Sequence, residues 1–279
     1  MDARQQELHS RMEDQHWWFL GKRQIVRTLV GSLLPPDDKS LVVDVGCGPG
    51  GNVGDLAGSY ETAGIDTSPD AIALARQRFP EVRFWEGELA EAPAEFDRGA
   101  RLYLLTDVLE HVPDDFHFLS TLLARCQKGA LVLLTVPAND ALWSRHDEVL
   151  GHYRRYQLQQ LEVVWQGLPV TPLLLSYYNT RLYPVIRLIR GLNRFGRRSF
   201  GDRGTDLRLP PDPVNRFLAS LFAAESKVLE DCLEGRRRYG YRFGSSLIAI
   251  LRVDETGIIP RRRPADVDFE HLPNGGGAP

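Results

Sequence analysis

The sequence predicts an α/β protein built on an open, doubly wound sheet of mainly parallel strands. Three observations carry this. Short apolar runs with β-branched residues alternate with helical stretches of about ten residues from Leu41 to Val136. A glycine cluster, Gly46-Cys47-Gly48-Pro49-Gly50-Gly51, closes the first of these runs. No internal repeat of solenoid period is present. Strands joined through helices pair in parallel with right-handed crossovers.

In chain order, Leu41 to Val45 is the first strand and Asn52 to Ser59 a helix. Tyr60 to Ile65 is the second strand, followed by a helix from Ser68 to Phe79 with serine at its cap and proline in its first turn. Val82 to Trp85 is a third strand, Arg101 to Thr106 a fourth, Pro113 to Cys126 a helix and Ala130 to Val136 a fifth strand. A loop rich in His, Asp and Arg (138–156) leads to a helix near Gln157 to Gln166 and a strand near Val170 to Tyr177. A mostly helical stretch follows to Arg238, broken around Arg203 to Pro213, and Tyr241 to Arg252 is a final strand. The expected organisation is a helical lid (1–36), a cofactor-binding core (37–178), a helical cap (179–240), a last core strand (241–253) and a disordered tail (254–279).

Composition narrows the function classes. The 279 residues carry 34 basic and 37 acidic side chains, with 25% charged and 43% hydrophobic residues, ordinary globular values. The modest net charge of −3 hides an asymmetry: residues 1–150 hold 14 basic and 24 acidic side chains, residues 151–279 hold 20 and 13. This argues against a uniformly basic nucleic-acid binder and leaves room for an anionic substrate or surface on the C-terminal side. Cys47, Cys126 and Cys232 are odd in number and widely spaced, which speaks for a reducing cytoplasm rather than a disulfide framework. No apolar run has the length of a membrane span, and the N-terminus lacks the apolar core of a secretion signal.

The glycine cluster satisfies both G-x-G-x-x-G and G-x-G-x-G, so it marks a nucleotide at a helix N-terminus without naming it. Asp44, two residues upstream, discriminates. A carboxylate there repels a dinucleotide's pyrophosphate but suits the ammonium of S-adenosylmethionine, which has no phosphate. The competing reading is a capping aspartate beside a tight turn. Asp66 closes the second strand, where a carboxylate accepts ribose hydroxyls. Glu88 is placed for the adenine amino group, with Leu89 over the ring; otherwise Glu88 is a solvated loop acid.

Val43-Asp44-Val45-Gly46-Cys47-Gly48-Pro49-Gly50, then Gly64-Ile65-Asp66, then Asp107-Val108-Leu109-Glu110-His111-Val112 form an ordered set over about residues 40–137. With them the sequence resembles the class I S-adenosylmethionine-dependent methyltransferases. The resemblance implies a Rossmann-like seven-stranded sheet whose last strand inserts antiparallel. It implies cofactor contacts at Asp44, Gly46, Asp66, Glu88 and Asp107, to which Cys47, Gly48, Thr67 and Leu89 are added as neighbours of those positions. Glu88 departs from the commoner aspartate, and 95–100 lacks the usual apolar entry into the fourth strand. A narrower resemblance rests on His16-Trp17-Trp18-Phe19 with Arg23, on Trp143 to Asp147 and Gly151 to Tyr156, on Asn179 with Pro184, and on Phe243 to Leu247. It points to bacterial methyltransferases of natural-product and surface-glycan pathways, hence to a small-molecule or glycan acceptor, most simply at oxygen.

Methyl transfer requires exclusion of water, alignment and, for a hydroxyl acceptor, a base. His111, directly after the fourth strand, is the first candidate. His146, Asp147 and His152 form a second cluster, Asp147 orienting an imidazole. H-D-x4-H matches no compact zinc spacing, so no metal is assigned. Arg154 and Arg155, flanked by Tyr153 and Tyr156, are candidates to clamp an anionic substrate group. Trp18, with Lys22 or Arg23, reads either as a lid over the cofactor or as an aromatic anchor for an amphipathic helix. Between Arg181 and Arg203 lie seven arginines and one acid, a cap helix or a surface for a membrane or lipid-linked substrate. The rivals are an NAD-linked oxidoreductase and a binding protein without turnover.

Overall fold

The structure, a computed structural model, describes residues 10–36, 39–196 and 208–256, with backbone alone from 192 to 196. Its strands are β1 (Leu41–Val45), β2 (Glu61–Asp66), β3 (Arg83–Glu86), β4 (Leu102–Thr106), β5 (Leu131–Pro137), β6 (Val170–Tyr178) and β7 (Ser246–Val253). They form one sheet in the order β3-β2-β1-β4-β5-β7-β6. The first five pair in parallel, while β7 runs antiparallel to both β5 and β6. The seven-stranded Rossmann-like fold with its antiparallel strand is therefore present. Strand order reverses between β1 and β4, and the crevice of an open sheet lies outside the carboxyl ends of the strands at such a reversal.

Helices cover both faces, so the central strands are buried on both sides and read as continuous apolar runs. In β4, Leu102 and Leu104 point to one face and Tyr103 and Leu105 to the other. One face packs on α4 (Asp115–Arg125) and α6 (Leu158–Val164) through Phe116, Leu119 and Leu161. The other packs on α1 (Trp17–Leu33), α8 (Asp212–Ala223) and α9 (Ser226–Leu233) through Ile25, Leu29, Phe222 and Leu229. Helices α2 (Gly51–Leu56) and α3 (Pro69–Arg78) close a third cluster with Val53, Ile72 and Phe84. Helix α3 begins as its sequence demands: Ser68 accepts from the amide of Ala71 at 3.3 Å, and Pro69 occupies the first turn.

Three expectations change. The N-terminal segment is not only a cover, because Ile25, Leu29 and Val30 of α1 are fully buried against the sheet. Each such burial contributes about 1.5–3 kcal/mol. Gly21 lies so close to Phe222 that a Cβ would meet its ring at 2.5 Å. The last strand starts at Ser246 rather than Tyr241; Tyr241 makes an isolated bridge to Tyr177, and a Cβ on Gly244 would meet the carbonyl oxygen of Tyr178 at 2.2 Å. The loop 138–156 contains α5 (Arg145–Leu150), capped by Ser144 and Asp147. The cap holds α7 (Tyr183–Gly196) as well as α8 and α9. The side chains of Arg194, Arg197, Arg198 and Arg203, and the tail from 257 on, lie outside the described residues.

Candidate active site

The turn after β1 is built from left-handed residues: Gly46, Gly48 and Gly50 have φ of 77°, 53° and 83°. Gly46 has no room for a side chain, since a Cβ would lie 2.6 Å from Val108; at Gly48 a Cβ would meet nothing within 4 Å. The loop is fastened to β2, with the amides of Gly46 and Cys47 donating to the Ile65 carbonyl. Asp66 adds a second tie, accepting from the amides of Gly48 and Ser68, both at 2.8 Å. Asp44 is fully buried behind this loop. Its Oδ2 accepts from Asn52 at 3.4 Å and its Oδ1 has no partner among the described residues. Burial pushes its pKa up to about 7. Burial also pushes the Cys47 thiol well up.

A cavity of about 1560 Å³ opens above this loop. Gly46, Cys47, Gly48, Asp66, Thr67, Glu88, Leu89 and Asp107 line it, together with Trp18 and Arg23. Thr67 and Glu88 stand exposed at its edge and Leu89 is buried. Asp107, directly after β4, has a positive φ of 61°. Its Oδ2 lies 2.6 Å from Lys22 Nζ and its Oδ1 accepts from Thr135 at 3.0 Å. Burial would raise this carboxyl, but Lys22, with help from Thr135, holds it below the ordinary range. Lys22 also stands over the Trp18 ring, 4.5 Å from its centroid. Arg23 turns instead to the Glu13 carbonyl at 3.1 Å. His16 caps α1, and burial lowers its pKa to about 4.

The second wall carries the histidines. His111, at the end of a short 3-10 turn after β4, is exposed, and its ring centroid is 4.6 Å from that of His152. His146 lies 6.4 Å from His152 on the same measure. His152 Nδ1 sits 2.9 Å from Oδ1 of the fully buried Asp147. Burial alone would raise Asp147, but His152 and the charges of Arg155 and Arg190 hold it well below the ordinary range. Glu110 is buried, with both oxygens unpartnered among the described residues. Burial, reinforced by the Asp107 charge, pushes its carboxyl far up. Glu110, His111 and His152 each offer a ligand atom within 4.8 Å of the others.

The expected arginine clamp is not assembled. Arg154 is spent on the Pro113 carbonyl at 2.6 Å and on Asp115 at 3.0 Å, and it does not line the cavity. Tyr156 is fully buried, its hydroxyl donating to Asp115 at 2.9 Å. Arg155 reaches the wall, but its guanidinium holds Asp147 at 2.8 Å and the Ala138 carbonyl at 3.0 Å. Asp147 itself lies behind the wall. Residues the sequence reading passed over join the cavity: Asn52, Glu110, Asn179 and Arg190. Glu110 carried a signal, an acid beside the chosen His111; Asn179 carried one only through the motif it shares with Pro184.

Residues 9–170, more than half of the chain, match the family described as a methyltransferase domain. The chain belongs to this methyltransferase family. It is similar to the trans-aconitate 2-methyltransferase of Azoarcus sp. (strain BH72), 33% identical over 110 residues, 38% of this chain and 42% of that one. The corresponding protein of Deinococcus radiodurans is 31% identical over 130 residues, 45% and 49% of the two chains. The methyltransferase thus spans less than half the length of these curated relatives. Its fold is similar to a chain in the complex between the Haloferax volcanii Trm112 methyltransferase activator and a methyltransferase, with a TM-score of 0.53, 18% identity and coverage of 88% and 93%. Membership places residues 9–170 among methyltransferase domains.

Proposed function

We propose that this methyltransferase acts in the cytoplasm on an oxygen of a small-molecule or glycan acceptor, with the His152–Asp147 pair receiving the acceptor's proton. One observation carries the reading: an imidazole oriented by a buried carboxylate stands in the same cavity as the glycine turn. Free Cys47, Cys126 and Cys232 suit a reducing compartment. The arginine-rich cap is the part that would meet a membrane or lipid-linked acceptor.

The residues present suit S-adenosylmethionine. The buried Asp44 Oδ1, without a partner among the described residues, matches a cationic ligand group, and the open space beside Gly48 lets backbone approach closely. Asp66 keeps lone pairs for ribose hydroxyls beyond the two amides it accepts. Gly46, Cys47, Gly48 and Asp107 would hold the amino-acid end, with Asp44 buried behind the loop and outside the cavity lining, and Trp18 and Arg23 beside it. Asp66, Thr67, Glu88 and Leu89 would hold the adenosine. When bound, the cofactor supplies an electrophilic methyl group.

For a hydroxyl acceptor, the oxygen would take the methyl group as its bond to the sulfonium sulfur breaks, leaving S-adenosylhomocysteine, and the O–H proton would pass to the imidazole of His152. Asp147 fixes that ring and compensates its charge. His152 thereby takes precedence over His111, whose side chain is exposed. S-adenosylhomocysteine release with alcohols, phenols and sugars tests this. Turnover on a hydroxyl acceptor, lost in His152→Ala with cofactor affinity kept, is expected. No turnover on any such acceptor would overturn it.

A second reading takes a carboxylate acceptor, already ionised and in need of no base. Arg190 and Arg208 on the cavity wall favour it. The relatives' name makes trans-aconitate the first acid to offer. If His111→Ala, His146→Ala and His152→Ala each keep full turnover on such an acid, this second reading replaces the first.

A further inference from the structure

The large apolar side chains exposed among the described residues all lie at or beyond Tyr153, in the basic half of the chain. They concentrate where α7 meets the segment leading into β7. Leu188 is 63% exposed, Val185 54% and Phe243 50%. Tyr183, Pro184, Arg187, Leu188, Gly191 and Phe243 together line an outer groove, with the Tyr183 and Phe243 rings 5.8 Å apart. Helix α7 is apolar on both sides. Ile186 and Ile189 face the main cavity, and Leu188 faces out beside Phe243. A surface helix normally keeps a polar outer face, so an apolar one at the surface marks a contact.

Charge identifies the kind of contact. Residues 179–191 and 235–246 contain seven arginines and no acid. Some are engaged internally: Arg190 binds the Leu142 carbonyl, Arg236 pairs with Asp231, and Arg237 donates to the Tyr239 carbonyl. Arg187 and Arg242 are exposed and have no acid partner among the described residues, and Arg238 lies 5.1 Å from the exposed Tyr239 ring. Guanidinium groups interleaved with exposed Leu, Val, Phe and Tyr match an interface of anionic headgroups over acyl chains. A purely polyanionic partner would use the arginines and leave Leu188 and Phe243 in water. No helix among the described residues is long and apolar enough to cross a membrane.

We propose that this face, α7 with Arg238 to Phe243, docks on the surface of an anionic lipid bilayer. The inference goes beyond the catalytic reading and does not need it.

The test is co-sedimentation of the full chain with vesicles of phosphatidylcholine alone and of phosphatidylcholine with a quarter phosphatidylglycerol, at low and high salt. Binding to the anionic vesicles, weak binding to the neutral ones and loss with salt are expected. Leu188→Ser with Phe243→Ser, and separately Arg187→Glu with Arg242→Glu, should each weaken binding about tenfold or more. Both pairs lie outside the cavity lining, so melting temperature and S-adenosylhomocysteine affinity should match the parent. If a pair fails to fold, Arg187→Glu alone carries the test. Absence of binding at low salt, equal binding to both vesicles, or parental binding by the variants would overturn the proposal. So would loss with the arginine pair but not the apolar pair when duplex DNA competes fully, which would mark a polyanion site instead. Turnover on a soluble acceptor without vesicles reports on the catalytic reading separately.

Discussion

Lys22 Nζ lies 2.6 Å from Asp107 Oδ2, joining the N-terminal helix to the end of β4 across 85 residues of sequence. The pair is well shielded from solvent, and Trp18 stacks on the same ammonium at 4.5 Å. It ties the position of α1 to the wall of the main cavity. Deletion of residues 1–20 should therefore lower activity through this corner, yet leave Ile25 and Leu29 in the core. Loss of cooperative unfolding in the truncated protein would show that the aromatic segment is needed for packing instead.

Removing the cation leaves a half-buried carboxylate unpaired. Lys22→Met should cost ~1–3 kcal/mol of stability at neutral pH. Asp107 is held below the ordinary carboxylate range, so its contribution is present above that range and is lost as pH falls through the folded value. Denaturant melts at pH 7 and near pH 3 check this. A deficit unchanged between the two would show that Lys22 acts through packing alone.

Asp44 works in the opposite direction. Its folded pKa of about 7 lies above the ordinary value, so ionisation costs stability progressively from about pH 4 to about pH 7. Asp44→Asn should raise the melting temperature of the ligand-free protein at pH 8 and leave it unchanged at pH 3.5, within ~1 °C. The same change should weaken S-adenosylhomocysteine binding. Equal or tighter binding by calorimetry would remove Asp44 from the cofactor site and leave only its place in the turn.

Asp66→Ala removes the acceptor for two backbone amides as well as the proposed ribose contact. Hydrogen bonds to a charged group contribute about 1.5–3 kcal/mol, and S-adenosylhomocysteine affinity should fall by that amount. Asp66→Asn keeps an acceptor oxygen and should recover part of the loss. A folded alanine variant with parental affinity would exclude Asp66 from the site.

His152→Ala should lower kcat/KM by ~10²–10⁴-fold on a hydroxyl acceptor with cofactor affinity intact. Asp147→Asn should also lower activity, but with a loss of stability, because it leaves Arg155 without its buried carboxylate. If Asp147→Asn costs stability while turnover per folded molecule is unchanged, the carboxylate is an anchor for Arg155 and not an orienter of the base.

The parts legible in the sequence are those set by neighbours in the chain. A parallel strand buried on both faces must be an apolar run, and a turn with three left-handed residues must be glycine-rich, so Leu41 to Gly50 declared both the sheet and the tight turn at its carboxyl edge. Asp44 and Asp66 followed because a strand's carboxyl end places them there. The remainder depended on partners far away in the chain. Whether Lys22 or Arg23 reaches inward turns on which side of α1 packs against Phe222 and the sheet. Glu110 rather than His111 is the buried group because the chain after β4 turns as a 3-10 helix, with His111 left exposed. Arg154 and Tyr156 were claimed by Asp115, about 40 residues upstream, before any substrate could use them. Side-chain type shows what a group is able to bind, and only packing fixes which partner is within reach: a buried charge takes the nearest opposite charge, since leaving it unpaired costs several kcal/mol, on the order of 3–5.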